Sequence, residues 1–337
     1  MPAIDDEHAI GEGWVRPTLL AGGTTEQQER WIPGIDGGSV IWCQLFSEPE
    51  AGSDLTSLRT RADRDGDHYV VNGQKIWSTW ANIADWGILL ARTSGEGSAS
   101  DDRHNSLPPV RDRSSGELWR QHGGGDSERS ERSKPTKHQA ISYFALDMRT
   151  PGIEVRPIIE MTGGNHFNEV FFTDVRVPVD CRIGGEGDGW RLATVTLANE
   201  RVALSQGGVL WGMGPTTEDL FAELQKNGGV DDPLLRQRAA RIYTEMVVLR
   251  LLGQRSQSAS IRKALSDEHG QHVTALMKDT RGAHGMLGEQ TPATKQDDVW
   301  HWGYLFSRAL TIGGGTSEVQ RNIIGERLLG LPREPSQ

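Results

Sequence analysis

Cysteine is nearly absent: the 337 residues contain two, Cys43 and Cys181. They lie far apart and outside any CxxC or zinc-type spacing. That excludes a disulfide-stapled secreted fold and fits reduced thiols in a cytoplasmic protein. Long apolar runs are missing too, so no membrane insertion is expected. The opening residues, MPAIDDEHAI, lack the basic and apolar regions of a secretory signal, and their acidity argues against a transit peptide. Basic residues are outnumbered, 36 Lys and Arg against 46 Asp and Glu, giving a net charge of −10. Nucleic acid is therefore not an expected partner, because phosphate contacts require clustered cations. The sequence shows no internal repeat and no metal-ligand spacing.

What is present suffices for a core: 36% of residues are hydrophobic and 24% charged. The length allows two or three domains. Helical fragments over 8–20 and 24–31 precede a break at Pro33-Gly34, and this stretch is too short to fold alone. Strand patterns begin at Val40-Ile41-Trp42, continue through 68–71 to a hairpin turn at Asn72-Gly73, and resume at 87–90. A second strand group covers 141–146, 153–155 and 169–172, closed by Pro178. Between the groups, 94–134 is rich in Gly, Ser, Asp, Glu and Arg and almost free of aliphatic side chains. That is the composition of a disordered surface insertion.

From Trp190 the apolar period becomes helical. A first helix ends at Gly207-Gly208, a longer one opens at Asp232-Pro233 and runs to 258, and others cover 271–281, 299–310 and 317–329. The predicted fold class is multidomain α+β. It comprises the remnant of an N-terminal helical domain over 1–38, a central antiparallel β-barrel domain over 39–185, and a C-terminal helical bundle over 186–337.

Three stretches invite chemistry. SEPEAGSD, residues 47–54, ends a strand in small residues and hydroxyls that let backbone N–H groups approach an anion; a plain turn has the same composition. GQKIWST, 73–79, places Trp77 and Thr79 two apart, hence on one face of a strand. An indole plane beside a hydroxyl suits a flat heteroaromatic ring, although a lone tryptophan also serves as core. GGGTSE, 313–318, is no P-loop, since no Lys precedes its hydroxyls in frame. With FNEVFFTDVRVP, 167–178, these stretches resemble the acyl-CoA dehydrogenase family. They match, in order, its FAD loop, its hairpin, its VxVP strand and its C-terminal loop. The similarity extends over nearly the whole chain outside 94–134 and is strongest to bacterial FadE-type members.

The resemblance implies FAD as cofactor. Gln44, Phe46, Ser47, Gly52 and Ser53 would contact the flavin and ribityl chain. Trp77, Ser78 and Thr79 would flank the isoalloxazine, and Thr316, Ser317 and Glu318 would lie near the diphosphate at a helix N-terminus. Ser53 and Arg201 would face the acyl-CoA substrate. An electron-transferring flavoprotein is the implied acceptor and a homo- or hetero-oligomer the implied assembly. The chain departs from the family in its short helical start, which predicts a truncation or a late start site, and in lacking evident RxxFG and GGxG segments.

Many family members carry the catalytic glutamate just before the Gly-Thr of the C-terminal loop, where this chain has Gly314. A minority carries the base before an arginine on another helix, and here Glu200-Arg201 falls on that position. The residues support this separately. Glu200 lies between Leu197-Ala198 and Val202-Ala203-Leu204, which predicts a partly desolvated carboxylate of raised pKa. The plainer alternative is an exposed glutamate paired with Arg191 or Arg201. By resemblance, the Gly314 N–H remains a donor to the thioester oxygen.

The expected function is FAD-dependent α,β-dehydrogenation of an acyl-CoA to the 2-enoyl-CoA, in fatty-acid or related lipid catabolism, with Glu200 as base. A partner-dependent or non-catalytic subunit and a pseudoenzyme scaffold are the alternatives. The glycines at 313–315 remove side-chain bulk, which predicts tolerance of long, branched or polycyclic acyl groups.

Overall fold

A computed structural model describes residues 7–93, 137–206, 208–255, 258–286 and 299–333. The expected insertion at 94–134 lies outside them. A π turn, Gly11–Val15, runs into helix α1 (Arg16–Gly22). Helix α2 (Thr25–Asp36) starts on a capping box in which Thr24 and Gln27 satisfy each other's backbone N–H groups. It does not break at Pro33-Gly34. Trp31 and Ile35 are buried on either side of the proline, and that packing outweighs the lost helical hydrogen bond. The Gln27 amide donates to the carbonyls of Asp180 (2.7 Å) and Arg182 (2.8 Å), fastening α2 to the sheet. Trp14, Leu19, Trp31 and Ile35 share one apolar core with the strands.

Among the described residues eight strands follow: β1 (Trp42–Leu45), β2 (Arg61–Asp65), β3 (His68–Lys75), β4 (Trp86–Thr93), β5 (Ile141–Asp147), β6 (Ile153–Pro157), β7 (Asn168–Pro178) and β8 (Arg182–Ile183). Their order is β6-β7-β3-β2-β4-β5-β8, with β1 also on β4. The sheet is mixed rather than antiparallel, because β1 and β2 both run parallel to β4. Among the described residues it does not close into a barrel. β1 and β2 occupy successive stretches of β4, at 86–89 and 92–93, so the chain between them bulges away from the sheet.

Asn72-Gly73 is not the hairpin turn. The β2–β3 register pairs Asp65 with His68, and Gly66 supplies the positive φ of +63° that this tight turn requires. Asn72-Gly73 instead marks a register shift between β3 and β7. A β-carbon on Gly73 would stand 2.7 Å from the Thr60 backbone.

The remaining helices are α3 (Gly189–Gln206), α4 (Thr217–Lys226), α5 (Pro233–Arg255), α6 (Ala259–Thr280), α7 (Val299–Leu310) and α8 (Ser317–Ile323). α7 has the bounds its apolar period predicts. α6 begins well before 271, because its first half buries Lys263, Ser266, Asp267 and His269 rather than aliphatic side chains. α3 docks on the sheet through Thr196, whose hydroxyl meets Tyr143 at 2.9 Å and Thr18 at 2.8 Å. Among the described residues, no helix is long and apolar enough to cross a membrane.

Candidate active site

β1 delivers Gln44, and the chain then leaves the sheet as the 46–60 loop. Glu48 holds that loop in shape. Its carboxylate accepts from the backbone N–H of Arg59 (2.5 Å) and Thr60 (2.9 Å) and from Lys75 Nζ (2.8 Å). Lys75 is fully buried and also donates to the Phe46 carbonyl at 3.0 Å. Burial pushes Glu48 upward, but the Lys75 charge and these donors hold it below the ordinary carboxylate range. The Ile76 N–H adds a bond to the Ser47 carbonyl at 2.9 Å. The 47–54 and 73–79 stretches are therefore one unit, tied by an ion pair that sequence reasoning missed. Its signal was a lysine on the inward face of β3, the face of Tyr69 and Val71.

Trp77 and Thr79 lie beyond the end of β3, so they do not share a strand face. Trp77 is held at a φ of +60°, a strained backbone for a bulky residue. Its indole is 57% exposed and meets the Phe167 ring edge-on at 5.8 Å. Ser78 exchanges two backbone bonds of 3.1 Å with Asn168. The result is a fixed, open aromatic plate beside a buried hydroxyl.

Across from this unit, α3 carries Glu200. The residue is 8% exposed, and the Gln44 amide donates to its carboxylate at 3.4 Å. Burial raises its pKa above the ordinary 4.5, while the Gln44 bond and the charges of Arg201 and Lys263 moderate the rise. The alternative of an exposed, locally paired glutamate does not hold, because Glu200 is buried and Arg191 pairs with Asp188 at 3.3 Å.

The third element is the glycine loop. Gly314 has a φ of +62°, and a β-carbon there would stand 2.2 Å from Leu204 Cδ1, 2.9 Å from Lys263 Cε and 3.5 Å from Glu200 Oε1. The bare backbone thus lies against Glu200, where no side chain fits. Gly313 is covered by Trp211, 2.7 Å from its β-carbon position, and Gly315 by the Gln320 amide at 2.6 Å. At each of these glycines a neighbouring side chain crowds the β-carbon position, so the missing side chain does not by itself open space at that point. Thr316 caps α8 by accepting from the Val319 N–H at 3.2 Å.

Gln44, Glu200 and Gly314 come together, with Phe46 buried close by at the end of β1. Arg201 is half-buried next to the carboxylate, whereas Gly52, Ser53 and Glu318 are exposed at the loop and helix edges. Three further residues escaped sequence reasoning. Lys263 Nζ, wholly buried, donates to Asp267 (2.6 Å), the Leu310 carbonyl (3.3 Å) and the Gly315 carbonyl (3.2 Å). The Trp211 indole N–H donates to the other Asp267 oxygen at 3.1 Å. An i,i+4 Lys/Asp pair among small residues was the available signal.

The donor set suits a planar polar cofactor. Among the described residues, buried Gln44 Oε1, Ser78 Oγ and Ser317 Oγ have no hydrogen-bond partner. No backbone carbonyl among the described residues accepts from the Gly314 N–H. Buried polar atoms are rarely left this way unless a ligand or water completes them.

Residues 43–123 match the family model for the acyl-CoA dehydrogenase middle domain, and 187–329 match the model for its C-terminal domain. The chain is 36% identical to acyl-CoA dehydrogenase IpdE1 of Mycobacterium tuberculosis, over 98% of its own length and 77% of that protein's. It is 35% identical to acyl-CoA dehydrogenase FadE34 of the same organism, over 95% of its length but only 39% of the relative's. Among solved structures, the Tcur3481-Tcur3483 steroid ACAD is similar at a TM-score of 0.78 and 28% identity, covering 97% of this chain and 77% of that one. The ChsE4-ChsE5 complex from Mycobacterium tuberculosis is similar at 0.74 and 30% identity, covering 97% and 78%.

Proposed function

The chain belongs to the acyl-CoA dehydrogenase family of FAD-binding oxidoreductases, and we propose that it converts an acyl-CoA thioester to the 2-enoyl-CoA in fatty-acid or related lipid catabolism, with Glu200 as base. The observation that carries this reading is a buried carboxylate of raised pKa lying against the bare backbone of Gly314. FAD, when bound, supplies the acceptor for the hydride that leaves Cβ. Glu200 takes the proton from Cα, and its raised proton affinity suits that task near neutral pH. Gln44 orients the carboxylate. As negative charge grows on the thioester oxygen, the N–H of Gly314 donates to it.

Trp77, Ser78 and Thr79 would lie against the isoalloxazine, and Gln44, Phe46, Ser47, Gly52 and Ser53 would line its loop side. Thr316, Ser317 and Glu318 would face the diphosphate, and Ser53 and Arg201 the acyl-CoA. Likeness to a steroid ACAD supports polycyclic acyl-CoAs as substrates to set beside straight chains. Likeness to the ChsE4-ChsE5 complex supports an oligomer, homo- or hetero-. An electron-transferring flavoprotein as acceptor rests on family resemblance alone.

Anaerobic titration of the flavin with an acyl-CoA panel tests the reading. Bleaching is expected in the native chain, with a loss on the order of 1000-fold in Glu200→Gln despite retained flavin. The native rate should fall on the acid side, at a pH above the usual glutamate range. Unchanged bleaching in the Gln variant overturns the base assignment. A colourless protein that gains flavin only with a second chain points to the partner-dependent subunit.

A further inference from the structure

We propose that Lys263 and Asp267 are positioning residues for this reaction, holding the Gly314 backbone against Glu200 and setting a positive charge beside its carboxylate. The inference rests on the base reading above. Lys263 reaches both ends of the glycine loop, through the carbonyls of Leu310 at the end of α7 and Gly315 before α8. Its Cε and the Glu200 carboxylate flank one point, the empty β-carbon position of Gly314. Removing the ammonium would free the loop from α6 at the place where its N–H must be aimed.

Asp267 works on the same loop by two routes. It anchors the lysine, and it takes the indole N–H of Trp211, whose ring covers Gly313. Trp211 is held for this contact at a φ of +57°, on a turn where Leu210 is also left-handed. A fully buried lysine–carboxylate pair is costly to desolvate, and apolar side chains of similar size often serve stability as well or better. Here the spare donors of the ammonium go to the loop, which an apolar side chain cannot replace.

The groups facing Glu200 are Gln44 from β1, Arg201 from its own helix and Lys263 from α6. Glu268 is the further charge beside Asp267. Lys263→Met and Asp267→Asn therefore act in opposite senses on Glu200. Loss of the ammonium favours the protonated carboxyl, whereas loss of the Asp267 charge leaves the ammonium unneutralised and favours the ionised form.

The test follows the carboxyl C=O stretch of Glu200 by infrared spectroscopy, as the pH-dependent difference from Glu200→Gln, in the holoprotein without acyl-CoA. Lys263→Met is expected to move its midpoint up by about one pH unit, a tenfold change in proton affinity. Asp267→Asn is expected to move it down, with the acid limb of flavin bleaching following. Shifts in the same direction, or none, overturn the proposal. Should Lys263→Met not fold, Asp267→Asn, which keeps the side-chain shape, decides alone, and an unmoved midpoint overturns it. The band reports on the pair whether or not Glu200→Gln loses activity, so failure of this inference is distinct from failure of the base assignment.

Discussion

Two wholly buried lysines organise this molecule, and their carboxylate partners meet different fates. Lys75 and Lys263 each bind an acid and give further bonds to backbone carbonyls. Glu48 collects two backbone N–H groups as well as its ammonium and is held low. Among the described residues, Asp267 has the ammonium and one indole N–H, and burial pushes it up to about 6. A counter-ion alone does not settle the charge of a buried acid; the depth of burial and the donors around it decide together. The β-sheet pair is thus a staple. The helical pair stays close to protonation, next to the residue proposed as base.

The severest way to break this comparison is Lys75→Met. It strands Glu48 without its counter-charge, and a loss of about 3–5 kcal/mol is expected by urea unfolding. Bound flavin should fall with it, because both motif stretches hang on that pair. A finer test compares the pH dependence of unfolding in Glu48→Gln and Asp267→Asn with the native chain. Glu48 has a depressed folded-state pKa, so its contribution is present above the ordinary 4.5 and is lost as pH falls. Asp267 has a raised one, so its contribution is present below the ordinary 3.8 and is lost as pH rises through about 6. Difference curves of opposite slope are expected; curves of one slope would collapse the distinction. The smallest effect concerns Glu200→Gln. Removing a buried charge of raised pKa should lift Tm at neutral pH by roughly 1–3 °C while activity is lost.

The sequence was most legible where apolar spacing alone decides the structure. Val299–Leu310 was read with both ends in place, and the burial of Glu200 followed from its aliphatic neighbours. Legibility failed where distant contacts decide. Asn72-Gly73 has turn chemistry, yet β7 makes it an irregularity inside β3, and Gly66-Asp67 turns instead. The first half of α6 hid because its buried face is polar. Parallel pairing of β1 with β4 has no local signature at all. The motif residues were found by resemblance, but Trp77 owes its place to a left-handed backbone rather than to a strand face. The residues that brace the site, Lys75, Lys263 and Asp267, are charged types whose burial no local pattern marks.

The long reach of these contacts also fixes an order of events during synthesis. Ile41, at the edge of β1, meets Asp85 44 positions later, Gln44 finds Glu200 after 156, and Lys263 finds Gly315 after a further 52. A nascent chain released before residue 311 would have its sheet, its aromatic plate and its carboxylate, yet lack the glycine loop that packs against that carboxylate. Contacts of such span form slowly. The glycine loop therefore meets Lys263 and Glu200 only after α7 is complete, once the chain has reached α8.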